Sequence, residues 1–98
     1  NHNKEVLSAT PTSVYFQYTG VVCGINNNII NVTAPAGTTW TAVSNATWTT
    51  VINGSGTGSG SFSITTTTSI RNRDTYITLS APGQSNVIIN VYQRSLCV

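Results

Sequence analysis

The sequence predicts an all-β sandwich, and three observations carry that expectation. Apolar and polar residues alternate in short runs, which is the period-2 pattern of half-buried strands. No stretch places apolar residues at i, i+3, i+4 and i+7, and β-branched residues dominate. Turn residues punctuate the chain at spacings of roughly 8–12 residues.

Residues 1–10 read as an N-terminal tail ended by Pro11, and residues 11–98 as a single domain. Ser13–Tyr18 alternates Val14, Phe16 and Tyr18 against Tyr15 and Gln17. Asn28–Thr33 sets Ile30 and Val32 on one face and Asn31 on the other. Pro35 and Gly37 turn the chain, and Thr38–Val43 places Trp40 and Ala42 together. After Ser44, Asn45 and Ala46, a strand over Thr47–Ile52 opens near Trp48. The run Asn53–Gly60, with glycine at every second position, is read as a loop within the domain. Ser61–Thr67 then turns Phe62 and Ile64 inward. Thr75–Ser80 points Ile77 and Leu79 inward and Tyr76 outward. Pro82 and Gly83 form a hairpin turn, and Asn86–Gln93 carries Val87, Ile89 and Val91 on one face with Ile88, Asn90 and Tyr92 on the other.

Seven strands in this rhythm match an immunoglobulin-like β-sandwich, expected to hold seven to eight antiparallel strands. The predicted core is Val14, Phe16, Ile30, Val32, Trp40, Phe62, Ile64, Ile77, Leu79, Val87, Ile89 and Val91.

Composition bounds the chemistry. The chain has 98 residues, of which 6% are charged, with a formal net charge of +2. Its four cations, Lys4, Arg71, Arg73 and Arg94, form no basic stripe, which argues against a nucleic-acid partner. No apolar run approaches the roughly 20 residues of a membrane span, so no membrane insertion is expected. Glycoside hydrolysis commonly needs two carboxylates at the scissile bond, and this chain has only Glu5 and Asp74. Its one histidine, His2, falls with Glu5 in the tail, so no catalytic constellation can be assembled and no enzyme is expected. No metal-ligand spacing and no cofactor motif appears.

Two cysteines, Cys23 and Cys97, are read as a disulfide closing a long loop, in keeping with an oxidising compartment. Three Asn-x-Ser/Thr sequons begin at Asn31, Asn45 and Asn53, a number that chance explains in a chain this rich in Asn and Thr.

From Thr38 onward the sequence resembles the BACON family, the Bacteroidetes-associated carbohydrate-binding domain often found N-terminal to enzymes. The resemblance rests on Trp40 and Trp48, the turn glycines Gly54, Gly56 and Gly58, the strand residues Phe62 and Ile64, Arg73 followed by Ile77 and Leu79, and the terminal Val91 and Gln93. It implies a sandwich in secreted or cell-surface proteins of Bacteroidetes and some of their phages, with carbohydrate or mucin binding, or a spacer role, as the function.

Candidate sugar contacts are therefore aromatic side chains and one cation: Trp48, Tyr76, Tyr92 and Arg73. An exposed ring can stack on the apolar face of a pyranose. Two functions stay open at this point. One is an extracellular or cell-surface module that binds glycan or mucin, or spaces a neighbouring domain. The other is a phage virion decoration or fibre domain, whose partners would be other virion proteins.

Overall fold

A computed structural model describes residues 6–23, 28–69 and 71–95 of the chain. These residues form two β-sheets and no helix. Nine strands are present among them: β1 (Ser8–Thr10), β2 (Ser13–Gln17), β3 (Ile29–Thr33), β4 (Thr39–Ser44), β5 (Thr49–Ile52), β6 (Ser55–Thr57), β7 (Gly60–Thr66), β8 (Arg73–Ser80) and β9 (Val87–Arg94). One sheet has the order β1-β3-β7-β5 and the other β2-β9-β8-β4-β6.

The predicted core forms as the alternation requires. Eleven of its twelve members are buried, and Val87 packs against them half-buried. Trp40, Phe16, Phe62, Ile30, Ile64, Ile77, Leu79 and Ile89 are all but inaccessible to solvent. Burying each such side chain is worth about 1.5–3 kcal/mol, a large share of the roughly 5–15 kcal/mol net stability of a domain. The core is therefore set by the inward residues of both sheets, and Leu7, Ala9, Ala34 and Ala42 complete it.

Three features differ from the sequence expectation. The expected tail includes Ser8–Thr10, yet this segment pairs antiparallel with β3, so that boundary falls inside the fold. The glycine run contains β6, which pairs antiparallel with β4 at Thr39↔Thr57, Trp40↔Gly56 and Thr41↔Ser55. The strands are not all antiparallel, because β2 runs parallel to β9, from Ser13↔Asn90 to Gln17↔Arg94. The short link between β1 and β2, which contains the cis Thr10–Pro11 peptide, carries the chain from one sheet to the other. The chain does not reverse direction there, so β2 travels the same way as β9.

The glycines of the 53–60 run have a packing role. A Cβ on Gly56 would lie 2.7 Å from Trp40 Cζ2, and one on Gly54 would lie 2.6 Å from Val51 Cγ1. The Trp40 Nε1–H donates to the Gly58 carbonyl at 2.7 Å. The run thus closes over the indole of Trp40 with its backbone, which only residues lacking a side chain allow. At the other turn, Pro82 and Gly83 occupy the two central positions of a β-turn in which the Gln84 N–H donates to the Ala81 carbonyl. Gly83 has φ +75°, as a type II turn requires.

Candidate functional site

The two ends of the sandwich are chemically different. At the β8–β9 turn, the Leu7 N–H donates to Gln84 Oε1, fixing where the described chain begins its run. At the opposite end, the Ser95 N–H donates to Asn72 Oδ1, so the chain leaves beside the start of β8.

That second end is closed by a polar cluster around Gln93. Its side chain is fully buried, which for an amide is tolerable only if its hydrogen bonds are made. The Gln93 Nε2 donates to the carbonyls of Thr67, at 2.7 Å, and Gln17, at 3.1 Å. Its Oε1 accepts from Arg73 Nε–H at 2.7 Å. The Arg73 Nη2 donates to Thr67 Oγ1 at 2.9 Å and to the Thr67 carbonyl at 3.2 Å. The guanidinium carbon of Arg73 lies 4.1 Å from the centroid of the Trp48 ring. One amide therefore links the ends of β2, β7 and β8, and the cation it holds covers one face of Trp48. The rest of that indole packs, half-buried, against the core.

The outer face of the five-stranded sheet carries the other aromatic residues. Register sets Tyr15, Tyr92 and Asp74 in one row, Ser13, Asn90 and Tyr76 in the next, and Ile88, Thr78 and Val43 in a third. The Tyr15 and Tyr92 rings stack with centroids 4.6 Å apart and planes 25° apart. Arg94 lies 5.3 Å from the Tyr92 centroid and pairs with Asp74. That hydrogen bond to Asp74 raises the guanidinium pKa above its ordinary value, against an opposing effect of burial. Tyr15, Tyr76, Ile88 and Val43 are each 39% exposed or more, although a strand on a solvated face would usually carry polar residues there.

The four candidate residues from the sequence thus separate into two pairs. Tyr76 and Tyr92 share the outer face, on adjacent strands and one diagonal step apart. Arg73 and Trp48 pack together at the closed end of the sandwich. Sequence reasoning places Tyr15 on an outer face but does not join it to Tyr92, because pairing of the second and last strands leaves no local mark. It also misses the Asp74–Arg94 pair and the role of Gln93. Of the predicted disulfide, Cys23 is bonded, and Cys97 lies outside the described residues. His2 and Glu5 lie outside them as well. Asn31, Asn45 and Asn53 are all exposed. Among the described residues, no group of three or more His, Cys, Asp or Glu could hold a metal ion.

No family model matches the chain, and no curated protein matches it. Solved structures do match. One is the Bacteroides ovatus GH5 xyloglucanase in complex with a XXXG heptasaccharide, with a TM-score of 0.74 and 24% sequence identity. The match covers 89% of this chain and 18% of that chain. The chain therefore spans less than a fifth of that enzyme's length, and the likeness is one of fold.

Proposed function

We propose that the chain is a non-catalytic, extracytoplasmic spacer module of a carbohydrate-handling protein, of the BACON kind and built on an immunoglobulin-like frame. The observation that carries this reading is the path of the chain. Leu7 is held at the β8–β9 turn, and Ser95 is held at the opposite end, beside Asn72. Between them β9 alone covers about 24 Å at ~3.4 Å per residue. Neighbours joined at the two ends would be kept apart by a packed, two-sheet body rather than by a flexible linker. The fold shared with a small fraction of a glycoside hydrolase supports the carbohydrate setting.

The test is a distance measurement. Fluorophores at Val6 and Ser95 should report one narrow separation of about 30 Å, unchanged when folded partners are fused at either end. A broad distribution, or a separation that collapses on fusion, would count against a spacer.

A second reading is favoured by the exposed tyrosines. The negative face of exposed Tyr76 suits the polarised C–H bonds of a pyranose, and half-buried Tyr92, whose ring stacks on Tyr15, joins Asp74, Asn90 and Arg94 as hydroxyl partners beside it. On this reading the outer face of the five-stranded sheet contacts glycan or mucin. Titration with oligosaccharides should then show binding that Tyr76→Ala and Tyr92→Ala abolish. Binding that survives both substitutions would remove this face from consideration.

A further inference from the structure

We infer that the module is built to bear tension along its length, with the β2–β9 pair as the clamp and the Cys23 disulfide as the stop. The inference rests on the spacer reading, since only a chain pulled from its two ends would meet the load. Its grounds are the direction of two strands and the place of one bonded cysteine.

Tension at Leu7 draws β1 and β2 toward the β8–β9 turn. Tension at Ser95 draws β9 the opposite way. Because β2 and β9 are parallel and in register over Ser13–Gln17, the two strands are pulled past each other along their own axes. All the hydrogen bonds of that ladder are then loaded together. In a hairpin pulled open from one end, the bonds would instead be loaded one after another.

Further contacts lie across the same seam. The Asn90 N–H donates to the Thr12 carbonyl at 2.8 Å. The Gln93 Nε2 reaches the Gln17 carbonyl, and Tyr15 stacks on Tyr92. Sliding by one residue would break all three and turn Val14 and Phe16 out of the core, since a one-residue slip exchanges the faces of a strand.

The disulfide then limits how far the chain extends after rupture. Cys23 lies just beyond β2, with its N–H bonded to the Tyr15 carbonyl. It is disulfide-bonded, and the sequence contains one other cysteine, Cys97. With Cys97 as the partner, the bridge would carry force past the strands that follow Cys23. The residues between the two cysteines are bypassed, and only the chain before Cys23 can lengthen.

Single-molecule pulling of tandem repeats of the full chain tests both parts. Pulled from its termini, the module should rupture at a force at least twofold higher than when pulled between the N-terminus and Ser85. The second geometry loads β2 and β9 from the same end and opens them bond by bond. Equal forces in the two geometries would overturn the clamp.

Under oxidising conditions the chain freed should be about 16 residues, some 55 Å of contour length at ~3.4 Å per residue before the folded span is subtracted. With reductant it should be about 88 residues, some 300 Å of contour length, an increase of at least about fivefold. An extension unchanged by reductant would overturn the stop. A module that keeps its fixed end-to-end distance yet ruptures equally in both geometries remains a spacer and is not a tension-bearing one. Loss of the fixed distance removes both readings.

Discussion

Replacing Gln93 by leucine should be among the most costly polar-to-apolar changes in this molecule, although it exchanges a buried polar side chain for a buried apolar one of similar size. The bond from Arg73 to Gln93 Oε1 involves a charged donor and is worth about 1.5–3 kcal/mol. The two bonds from Gln93 Nε2 to the Thr67 and Gln17 carbonyls add about 0.5–1.5 kcal/mol each. Both carbonyls keep a second donor, Arg73 Nη2 for Thr67 and the Gly20 N–H for Gln17, so neither is fully orphaned. The leucine also returns some apolar burial. The net loss should be about 2–4 kcal/mol. With a urea m-value of about 1–1.5 kcal/mol per M for a chain this small, the unfolding midpoint should fall by about 1.3–4 M. Equilibrium urea unfolding followed by tryptophan fluorescence reads this directly, because Trp48 lies under Arg73. In parallel, the Arg73 Nε–H should lose its protection from solvent exchange. A Gln93→Leu midpoint within about 0.3 M of the parent would refute the idea that this amide holds the end of the sandwich together.

Four other outcomes are expected. Gly56→Ala should cost about 1–3 kcal/mol and alter the near-UV circular dichroism of Trp40, because its Cβ meets a ring that cannot retreat. Gly37→Ala, at φ +83° with open space around it, should cost about 1–2 kcal/mol from backbone strain alone and leave that spectrum unchanged. Asp74→Asn removes the ion pair with Arg94 on an exposed face. It should cost less than about 1 kcal/mol in urea unfolding, and the cost should vanish in 1 M salt. Reducing the disulfide of Cys23 should lower stability by about 4 kcal/mol on the chain-entropy account, read as a fall in thermal midpoint with added reductant.

The contrast between Val14 and Ser8 explains what could be read from the sequence and what could not. Val14, Phe16, Ile77 and Ile89 announce themselves because alternation depends only on a strand's own two faces. Ser8–Thr10 has no such alternation of large residues. It is a strand because β3 offers it an edge, and that information lies more than twenty residues away. β6 was hidden for a related reason. Its sequence, Ser55–Thr57 around Gly56, has poor strand propensity, and the ring of Trp40 below it requires the glycine. Direction of pairing was also invisible, since a period-2 pattern is the same whether the partner runs parallel or antiparallel. In the candidate site, the outward placement of Tyr76 and Tyr92 followed from alternation. The seating of Arg73 over Trp48 did not, because it depends on Gln93, which reaches them from another strand.

The position of β9 has a consequence for how the chain folds. This strand lies inside its sheet, flanked by β2 on one side and β8 on the other. Its partner β2 precedes every other strand of that sheet in the sequence, and β9 follows all of them. Until β9 joins it, β2 has no neighbour within that sheet, and the inner residues Val14 and Phe16 lack the surface that covers them. Pairing of segments so distant in sequence is slow to establish. The sheet that holds Val14 and Phe16 is therefore completed only when its last strand joins its first, whatever order the rest of the domain follows.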